Sequence, residues 1–552
     1  MASTNINPLS RITAFLKLES HDINTIVFLI VGIGILNFAT PVAIQALVNI
    51  VTMGGILEPL YVISFVLFTL LTLSGVLYIL QAYLVEHIQR RFFVRTAIES
   101  ANKTQESAGR ENNRQSTAEL MNRFLDVTIV QKATAQLLTN GLSSVLQAVI
   151  GSIVLMFYSF YFALVVLLMT ITLWFTVRVI GSRAINTAIQ ESVTKYQLVA
   201  WLETIAHNIS AFKFLHGKFL SHDRIDTLAL NYLNARKTHF NTLLKQNITG
   251  VFLYASAGTA MLALGGALVI QGQINLGQFV AAELIIFNVL SSFVRFIYQL
   301  ESYYDMSAAF DKIGMIQDLE QEKGGLYQSD AQDIAVCFKD VRFAYNDDSV
   351  AVDKLSFLLP PKSTMAILAK TGGGKSTIAE LLVGLKEPNS GFVQYNEVDI
   401  KQYEIDTLRK KVGYLRKLEI LDETLANNIR FGRQDISVAE ITEVLGKLDI
   451  LEHVLKLEKN IDTTLNYAGA PLSFSQAKLL CIARNIIGNP ALLVIDGLLD
   501  DFEMPMIDMV MKVLTAENRA WSLVVLTKHE YIANYCERLM KLGSDNRWEE
   551  RV

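Results

Sequence analysis

A short glycine-rich segment carries the residues of this chain best suited to chemistry. Residues 369–377 have the sequence AKTGGGKST, between an apolar strand pattern at 364–368 and a helical pattern at 378–385. Backbone N–H groups of such a turn can point at phosphate oxygens, while Lys375 adds a positive charge and Ser376 offers Mg²⁺ a hydroxyl. The segment therefore predicts a bound nucleoside triphosphate, ATP, with Mg²⁺. The residues expected to hold it are Gly372, Gly373, Gly374, Lys375, Ser376 and Thr377.

The chain as a whole is too apolar for a soluble enzyme. The 552 residues are 51% hydrophobic and only 18% charged, with a mean hydropathy of +0.33. A membrane helix needs a run of roughly 20 apolar residues to cross a hydrocarbon core about 30 Å thick. Six such runs are predicted, with a reversal of the chain around residues 159–161 between the third and the fourth. They lie at 23–48, 57–85, 141–158, 162–180, 251–270 and 277–296.

The distribution of positive charge predicts how these spans are oriented. Residues 52–58 and 271–275 contain no Lys or Arg, whereas the long polar stretches 86–140 and 183–246 contain many. By the positive-inside rule, the two long stretches are expected to be cytosolic loops. Residues 1–22, with Arg11 and Lys17, are expected to form an elbow segment along the membrane rather than a cleaved signal. The membrane domain is thus predicted over 23–300.

Beyond the sixth span the pattern changes to short strands alternating with helices. Residues 301–330 are expected to form a linker, and 331–552 a single domain. Short aliphatic and β-branched runs predict strands at 335–338, 364–368, 411–415, 491–495 and 523–526. Such an alternation favours an α/β domain with a largely parallel sheet, whose ligand lies at the carboxyl ends of the strands. The phosphate-binding segment follows one of these strands.

Taken in order, the motifs resemble those of a half-transporter of the ATP-binding cassette (ABC) exporter type. The resemblance covers nearly the whole chain and implies an all-α membrane domain of six helices followed by an α/β P-loop NTPase domain. It also implies further residues that contact the nucleotide and the metal. Tyr345 lies in an aromatic loop that stacks on adenine, and Ser473 and Gln476 lie in the signature pentapeptide 472–476. Asp496, at the end of a Walker B strand, holds Mg²⁺ together with Ser376, and His529 is the switch histidine.

One departure from this family concerns the hydrolysis step. In the family a glutamate follows the Walker B aspartate and polarises the attacking water, whereas here Gly497 follows Asp496. Glycine cannot accept a proton, and loss of a positioned general base typically costs about 10²- to 10⁴-fold in rate. We therefore expect a degenerate site that binds ATP far better than it cleaves it.

Further departures affect other conserved motifs of the family. Lys417 stands where the glutamine loop has its glutamine, and an ammonium has no lone pair for Mg²⁺. Arg416 stands where a proline usually precedes it. Phe474 and Ser475 replace the two glycines of the signature pentapeptide, so close approach to the ATP of an opposite cassette should be hindered. Ala369 stands in place of the first loop glycine, where its methyl group is expected to cause strain.

These departures bear on the oligomer that the resemblance implies, in which two cassettes sandwich two nucleotides. A second half-transporter that supplies the missing glutamate is the favoured partner. The alternative is a homodimer that turns over slowly, with Asp500 or Asp501 standing in for the glutamate. Membrane lipids surround the spans, a periplasmic adaptor is left open, and no nucleic-acid partner is expected.

Two function classes remain open at this stage. The first is a transporter half that exports a substrate across the cytoplasmic (inner) membrane, with its nucleotide-binding domain in the cytosol. The second is a non-hydrolysing membrane module, in which ATP binding alone sets the conformation of a sensor or scaffold. Two polar segments, 122–126 and 206–213, resemble the short helices that couple a cassette to the membrane domain. Their presence favours the transporter.

Overall fold

The chain folds into two compact units, residues 1–321 and 322–552. The computed structural model describes residues 8–52, 57–107, 120–215, 217–329, 331–345, 349–543 and 548–551. Part of the first predicted cytosolic stretch, residues 108–119, and most of the short link at 52–58 lie outside the described residues.

The first unit is mostly helical in its described residues. Six of its helical segments are long and apolar enough to cross a membrane, as predicted, and these are Ser20–Thr52, Glu58–Gln105, Asn122–Tyr158, Phe160–Val179, Gly217–Ile270 and Leu276–Gln317. The α-helices have the bounds Pro8–Leu18, Ser20–Asn37, Ala39–Thr52, Glu58–Gln105, Val127–Gln136, Leu142–Tyr158, Phe160–Phe175, Gly181–His207, Ile209–Phe214, Gly217–Ile270 and Leu276–Gln317. A 3₁₀ turn at Asn122–Asp126 and π turns at Leu137–Gly141 and Thr176–Ile180 join some of them.

Two local features agree with the predicted spans. The chain reverses at Ser159, whose backbone is extended and whose hydroxyl accepts a hydrogen bond from the N–H of Tyr161, capping the next helix. The first span is broken at Phe38, just before Pro41 in the first turn of the second half. Proline has no backbone N–H to donate a hydrogen bond, and it is tolerated in the first turn of a helix because that N–H has no partner within the helix.

In their described parts, the two long polar stretches predicted as cytosolic loops consist mostly of helix. Helix Gly217–Ile270 has 54 residues, so it is about 80 Å long and far exceeds a hydrocarbon core of about 30 Å. Its polar first half and apolar second half form one rod. Helix Glu58–Gln105, with 48 residues, continues its apolar span in the same way. The most buried of the six spans is Leu276–Gln317. Residues 301–317, which were predicted as part of a linker at 301–330, belong to this helix.

The predicted elbow segment contains the helix Pro8–Leu18, which packs on two of the long helices. Phe15, Phe92 and Phe310 form a ring cluster with centroids 5.0 to 6.0 Å apart. Arg11 donates a hydrogen bond of 2.9 Å to Gln317. Buried aromatic contacts of this kind hold the short helix against the rest of the unit.

The second unit contains two sheets. Its strands are β1 Val336–Ala344, β2 Val350–Leu359, β3 Thr364–Leu368, β4 Ser390–Tyr395, β5 Val398–Asp399, β6 Val412–Leu415, β7 Leu492–Asp496, β8 Ser522–Thr527, β9 Arg538–Leu542 and β10 Trp548–Arg551. The larger sheet has the order β10-β9-β3-β8-β7-β6 and is parallel except for β10. The smaller, antiparallel sheet has the order β2-β1-β4-β5. Of the smaller sheet, the sequence predicted only the start of β1.

The parallel sheet is covered on both faces. Alternate residues of β7 and β8 face opposite clusters, with Leu493 and Val525 on one side and Val494 and Leu526 on the other. This explains why β3, β7 and β8 are continuous apolar runs, buried at every position. The helices of the second unit have the bounds Lys375–Leu382, Ile405–Arg409, Leu425–Arg430, Val438–Lys447, Leu451–Leu455, Phe474–Ile486, Met504–Leu514 and Glu530–Ala533.

Candidate nucleotide site

The glycine-rich segment joins the carboxyl end of β3 to the helix Lys375–Leu382. Gly372 and Gly374 have φ of +85° and +77°, a region that residues with a Cβ atom rarely adopt. A Cβ atom on Gly374 would also lie 2.2 Å from the carbonyl oxygen of Ala351. Glycine is therefore required there by both conformation and space. Ala369, by contrast, is not among the residues with positive φ, so the strain expected from its methyl group does not arise.

The loop lysine folds back over its own turn. The Lys375 ammonium donates hydrogen bonds of 2.6 Å to the carbonyl of Ala369 and 2.9 Å to that of Lys370. Burial lowers the pKa of Lys375, while the nearby carboxylates of Asp500 and Asp496 oppose that shift. The ammonium is thus held beside the turn, where its positive charge can contact phosphate oxygens of a bound nucleotide.

Asp496 ends the central strand β7, with only 4% of its side chain exposed. Burial raises the pKa of its carboxyl group, and a hydrogen bond from Ser376 opposes the shift. Its Oδ2 atom is buried and accepts no hydrogen bond within the described part of the chain. A buried carboxylate oxygen that accepts no hydrogen bond, beside a serine hydroxyl, fits a hard cation such as Mg²⁺. Ser376 and Asp496 are the residues that would hold the metal, and bound Mg²⁺ would neutralise phosphate charge.

Tyr345 lies on the other side of the loop. Its hydroxyl is 3.1 Å from the Thr377 hydroxyl and accepts a hydrogen bond of 2.7 Å from Lys386. The Lys386 ammonium also lies 4.2 Å from the centre of the Tyr345 ring. These contacts connect the ring to the first turn of the helix after the loop while 42% of Tyr345 stays exposed. Stacking on adenine remains a prediction, and the role of Lys386 was not foreseen from the sequence.

Gly497 has a φ of +66°, which places the next residues in a tight 3₁₀ turn, Leu498–Asp501. A Cβ atom at Gly497 would lie 4.0 Å from Oδ2 of Asp500. Asp500 is held there because Oδ1 accepts a hydrogen bond from the Thr527 hydroxyl and Oδ2 accepts one of 3.3 Å from the N–H of Lys528. The carboxylate of Asp500 is therefore close to the position that a glutamate side chain would occupy.

Of the two carboxylates considered as replacements for the glutamate, only Asp500 is near Gly497 and Lys375. Asp501 instead accepts a hydrogen bond of 2.9 Å from the buried ammonium of Lys478, which lowers the pKa of Asp501. His529 joins the same group as Asp500, since its Nε2 atom lies 3.2 Å from the Asp500 carbonyl. Its backbone N–H donates to the Thr527 hydroxyl at 3.1 Å.

Two adjacent cationic residues follow β6, and the first of them belongs to the site. Arg416 contacts Glu380 through Nη1, and its Nε atom lies 3.5 Å from Oδ2 of Asp496. Lys417, which stands at the position of the family's glutamine, is exposed. Of these two residues that differ from the family pattern, Arg416 is therefore the one whose side chain contacts the predicted metal ligand Asp496. The sequence placed Arg416 directly after a predicted strand, but the pairing of that strand with β7 is known only from the fold.

The signature segment forms its own local structure. Ser473 and Gln476 cap the helix Phe474–Ile486 reciprocally, each side chain bonding the backbone N–H of the other residue. Both side chains are thus engaged with each other, and neither is brought to the phosphate loop of the same chain by a described contact. Phe474 is 60% exposed, and the Lys478 ammonium lies 4.7 Å from its ring centre. A role of Ser473 and Gln476 toward nucleotide stays a prediction that requires a second cassette.

Two family models match this chain, one in each of its two units. A family model described as ABC transporter matches residues 352–499, and one described as ABC transporter transmembrane region matches residues 23–294. The iron-sulfur clusters transporter ATM1, mitochondrial, of Saccharomyces cerevisiae is 27% identical over 52% of this chain and 43% of its own length. The ATP-dependent lipid A-core flippase of Haemophilus influenzae (strain 86-028NP) is 28% identical over 51% of this chain and 49% of its own length.

A further relative and a solved structure extend these comparisons. The uncharacterized ABC transporter ATP-binding protein YfiC of Bacillus subtilis (strain 168) is 30% identical over 43% of this chain and 40% of its own length. The chain therefore aligns with less than half the length of each of these three relatives. The structure of a bacterial Atm1-family ABC exporter with ATP bound matches with a TM-score of 0.84 and 20% identity, covering 97% of this chain and 95% of that one. At that identity the likeness establishes the fold.

Proposed function

Because the chain belongs to the ABC transporter family, as an exporter half-transporter with six membrane helices and one nucleotide-binding domain, we propose that it couples ATP binding to export of a substrate across the cytoplasmic membrane. ABC exporters commonly function as dimers. Hydrolysis by this half is weak or depends on its partner. Two of the relatives are named as an iron–sulfur clusters transporter and a lipid A-core flippase.

The observation that carries this proposal is the contrast within one site. Lys375, Ser376 and Asp496 supply the charge and the oxygen ligands that ATP and Mg²⁺ require. Gly497 supplies no carboxylate, and the nearest one is held by Thr527 and Lys528. A site of this kind retains binding and loses most of the rate that a positioned general base contributes, about 10²- to 10⁴-fold.

A second half-transporter with its own glutamate would supply the catalytic group that this chain lacks. Each composite site of a cassette dimer combines the phosphate loop of one chain with the signature segment of the other. A partner with its own glutamate would form one competent site with the segment at Ser473 and Gln476 of this chain. The site on Lys375 would stay occupied and slow. A heterodimer is therefore favoured over a homodimer.

ATPase measurements on the purified chain test this proposal. Alone in proteoliposomes, it should hydrolyse ATP at least about a hundredfold more slowly than a cassette with an intact glutamate. Addition of a half-transporter encoded beside it should raise the rate, and substitution of the glutamate in that partner should remove the gain. Turnover by this chain alone at the rate of an intact cassette would contradict the heterodimer.

One observation favours the second candidate, a module that uses ATP binding without hydrolysis. Phe474 is 60% exposed at the first turn of the signature helix, where a bulky ring hinders close contact with a nucleotide on an opposite cassette. Uptake of a fluorescent phospholipid and of hydrophobic dyes into inside-out vesicles, with ATP and with a non-hydrolysable analogue, separates the candidates. Uptake that requires ATP, by the chain with its partner, supports the transporter. No uptake with either ATP or the non-hydrolysable analogue supports the sensor or scaffold.

A further inference from the structure

We propose that Arg416 supplies at the phosphate loop part of the positive charge that Mg²⁺ brings to other cassettes, so that this chain binds ATP nearly as well without the metal as with it. The inference rests on the proposed function, because it concerns the same nucleotide. It goes beyond that function by assigning a binding role to a residue outside the phosphate loop.

The sheet places Arg416 beside the metal-binding carboxylate. Strands β6 and β7 are parallel neighbours, with Leu415 paired to Ile495. The residues that follow this pair, Arg416 and Asp496, therefore lie side by side at the carboxyl edge of the sheet, where ligands bind in such folds. The Nε atom of Arg416 is 3.5 Å from Oδ2 of Asp496, the buried oxygen that accepts no hydrogen bond within the described residues.

Glu380 holds the guanidinium in this position. This residue lies on the helix that begins at Lys375, and 8% of its side chain is exposed. It contacts Arg416 through Oε1, while its Oε2 lies 2.7 Å from the Lys386 ammonium. A carboxylate that contacts both cations helps to fix the position of Arg416. Because 30% of the Arg416 side chain is exposed, part of it remains accessible to a ligand.

The charge balance around the loop supports a metal-independent mode of binding. Four cations surround three carboxylates, and these groups are Lys375, Lys386, Arg416 and Lys528 with Glu380, Asp496 and Asp500. Without Arg416 the opposite charges would be equal, and a triphosphate would depend on Mg²⁺ to offset its own charge. With Arg416 the protein itself provides the excess positive charge. The guanidinium is always protonated and delocalised, so it suits phosphate oxygens.

The experiment measures ATP affinity of the full chain in detergent, by calorimetric titration, with Mg²⁺ and with excess EDTA. The wild-type protein should lose no more than about threefold in affinity when the metal is removed. Arg416→Gln keeps much of the side-chain length and removes the charge. This variant should bind ATP within about threefold of wild type in Mg²⁺ and lose at least about tenfold in EDTA, since charge interactions at a partly buried site are worth that much.

Lys417→Gln provides the matched control, because it removes one positive charge from the adjacent, exposed residue. It should behave as wild type under both conditions. A wild-type protein that loses at least about tenfold in EDTA overturns the inference without any variant. The inference also fails if Arg416→Gln binds ATP in EDTA as wild type does, or if Lys417→Gln has the same effect as Arg416→Gln.

The outcomes also separate this inference from the proposed function. Strong binding in Mg²⁺ with loss in EDTA would contradict the role of Arg416 and leave the transporter proposal standing. Absence of ATP binding under both conditions would contradict both. Arg416→Lys retains a charge but not the fork of donors, and should fall between wild type and Arg416→Gln in EDTA.

Discussion

The phosphate loop after β3 and the segment after β7 lie at the same edge of one parallel sheet, but they differ in what they retain. The loop has Gly372 and Gly374 in left-handed conformations, with Lys375 bonded across the turn. The segment after β7 keeps Asp496 and then turns at Gly497, so that Asp500 approaches from the next turn. Binding and cleavage of ATP therefore depend on two regions that can change separately.

The largest effect should come from the loop itself. Lys375→Ala removes the ammonium expected to contact phosphate and should weaken ATP binding about a hundredfold, the range for loss of a buried charged partner. Titration of ATP into the detergent-purified protein measures the change. Lys370→Ala, at an exposed position of the same loop, is the control and should bind as wild type. Equal losses in both variants would mean that the loop is not the site.

A gain of cleavage should follow from restoring the missing carboxylate. Gly497→Glu introduces a general base worth about 10²-fold or more, but the residue must adopt a φ of +66°, which costs about 1 to 2 kcal/mol for a residue with a Cβ atom. We expect a net rise in ATPase rate of at least about tenfold. Gly497→Gln bears the same strain without a base, and should show no rise. A rise in both variants would contradict the role of the carboxylate.

Asp500 should account for the residual hydrolysis by the chain alone. Asp500→Asn should lower the remaining ATPase rate about tenfold, because the amide cannot take a proton from water. ATP affinity should change little. Asp501→Asn, whose side chain is paired with Lys478, is the matched control and should leave the rate unchanged. An unchanged rate in Asp500→Asn would show that this carboxylate has no part in hydrolysis.

The smallest effect is expected at the aromatic loop. Tyr345→Ala should weaken ATP binding about fivefold, since base–aromatic stacking is worth about 1 to 3 kcal/mol. Tyr345→Phe keeps the ring and removes the hydroxyl that contacts Thr377 and Lys386. If stacking is the main contribution, this variant should bind as wild type. A loss of the same size in both variants would instead assign the effect to the hydroxyl.

Much of the fold was predictable because its signals are local. Six apolar runs predicted six spans, and the described helices confirm their number. The strands β3, β7 and β8 were predicted within one residue of their bounds, since buried parallel strands are continuous apolar runs. The helical form of the described parts of the long polar stretches was not predicted from the sequence. The antiparallel sheet was mostly missed, because bulges shift its register and interrupt the alternation of buried and exposed residues that would predict its strands.

The candidate site shows the same division at the level of single residues. Gly497 and the phosphate loop were identified from the order of neighbouring residues in the chain. Arg416 was noted only for its place before Lys417, and its contact with Asp496 follows from the pairing of β6 with β7. Asp500 and Asp501 were equivalent by position, and hydrogen bonds from Thr527 and Lys528 distinguish them.

The amino-acid order alone was enough to establish which chemical groups this protein has, because a glycine-rich turn, an apolar span and a missing carboxylate are properties of short segments. It could not establish which charges meet. Arg416, Glu380 and Asp496 are far apart in the chain and are brought together by strand pairing and by the helix after the loop. Contacts of that kind depend on the packing of the whole domain, since hydrophobic burial sets the register of buried strands before any charge can find its partner.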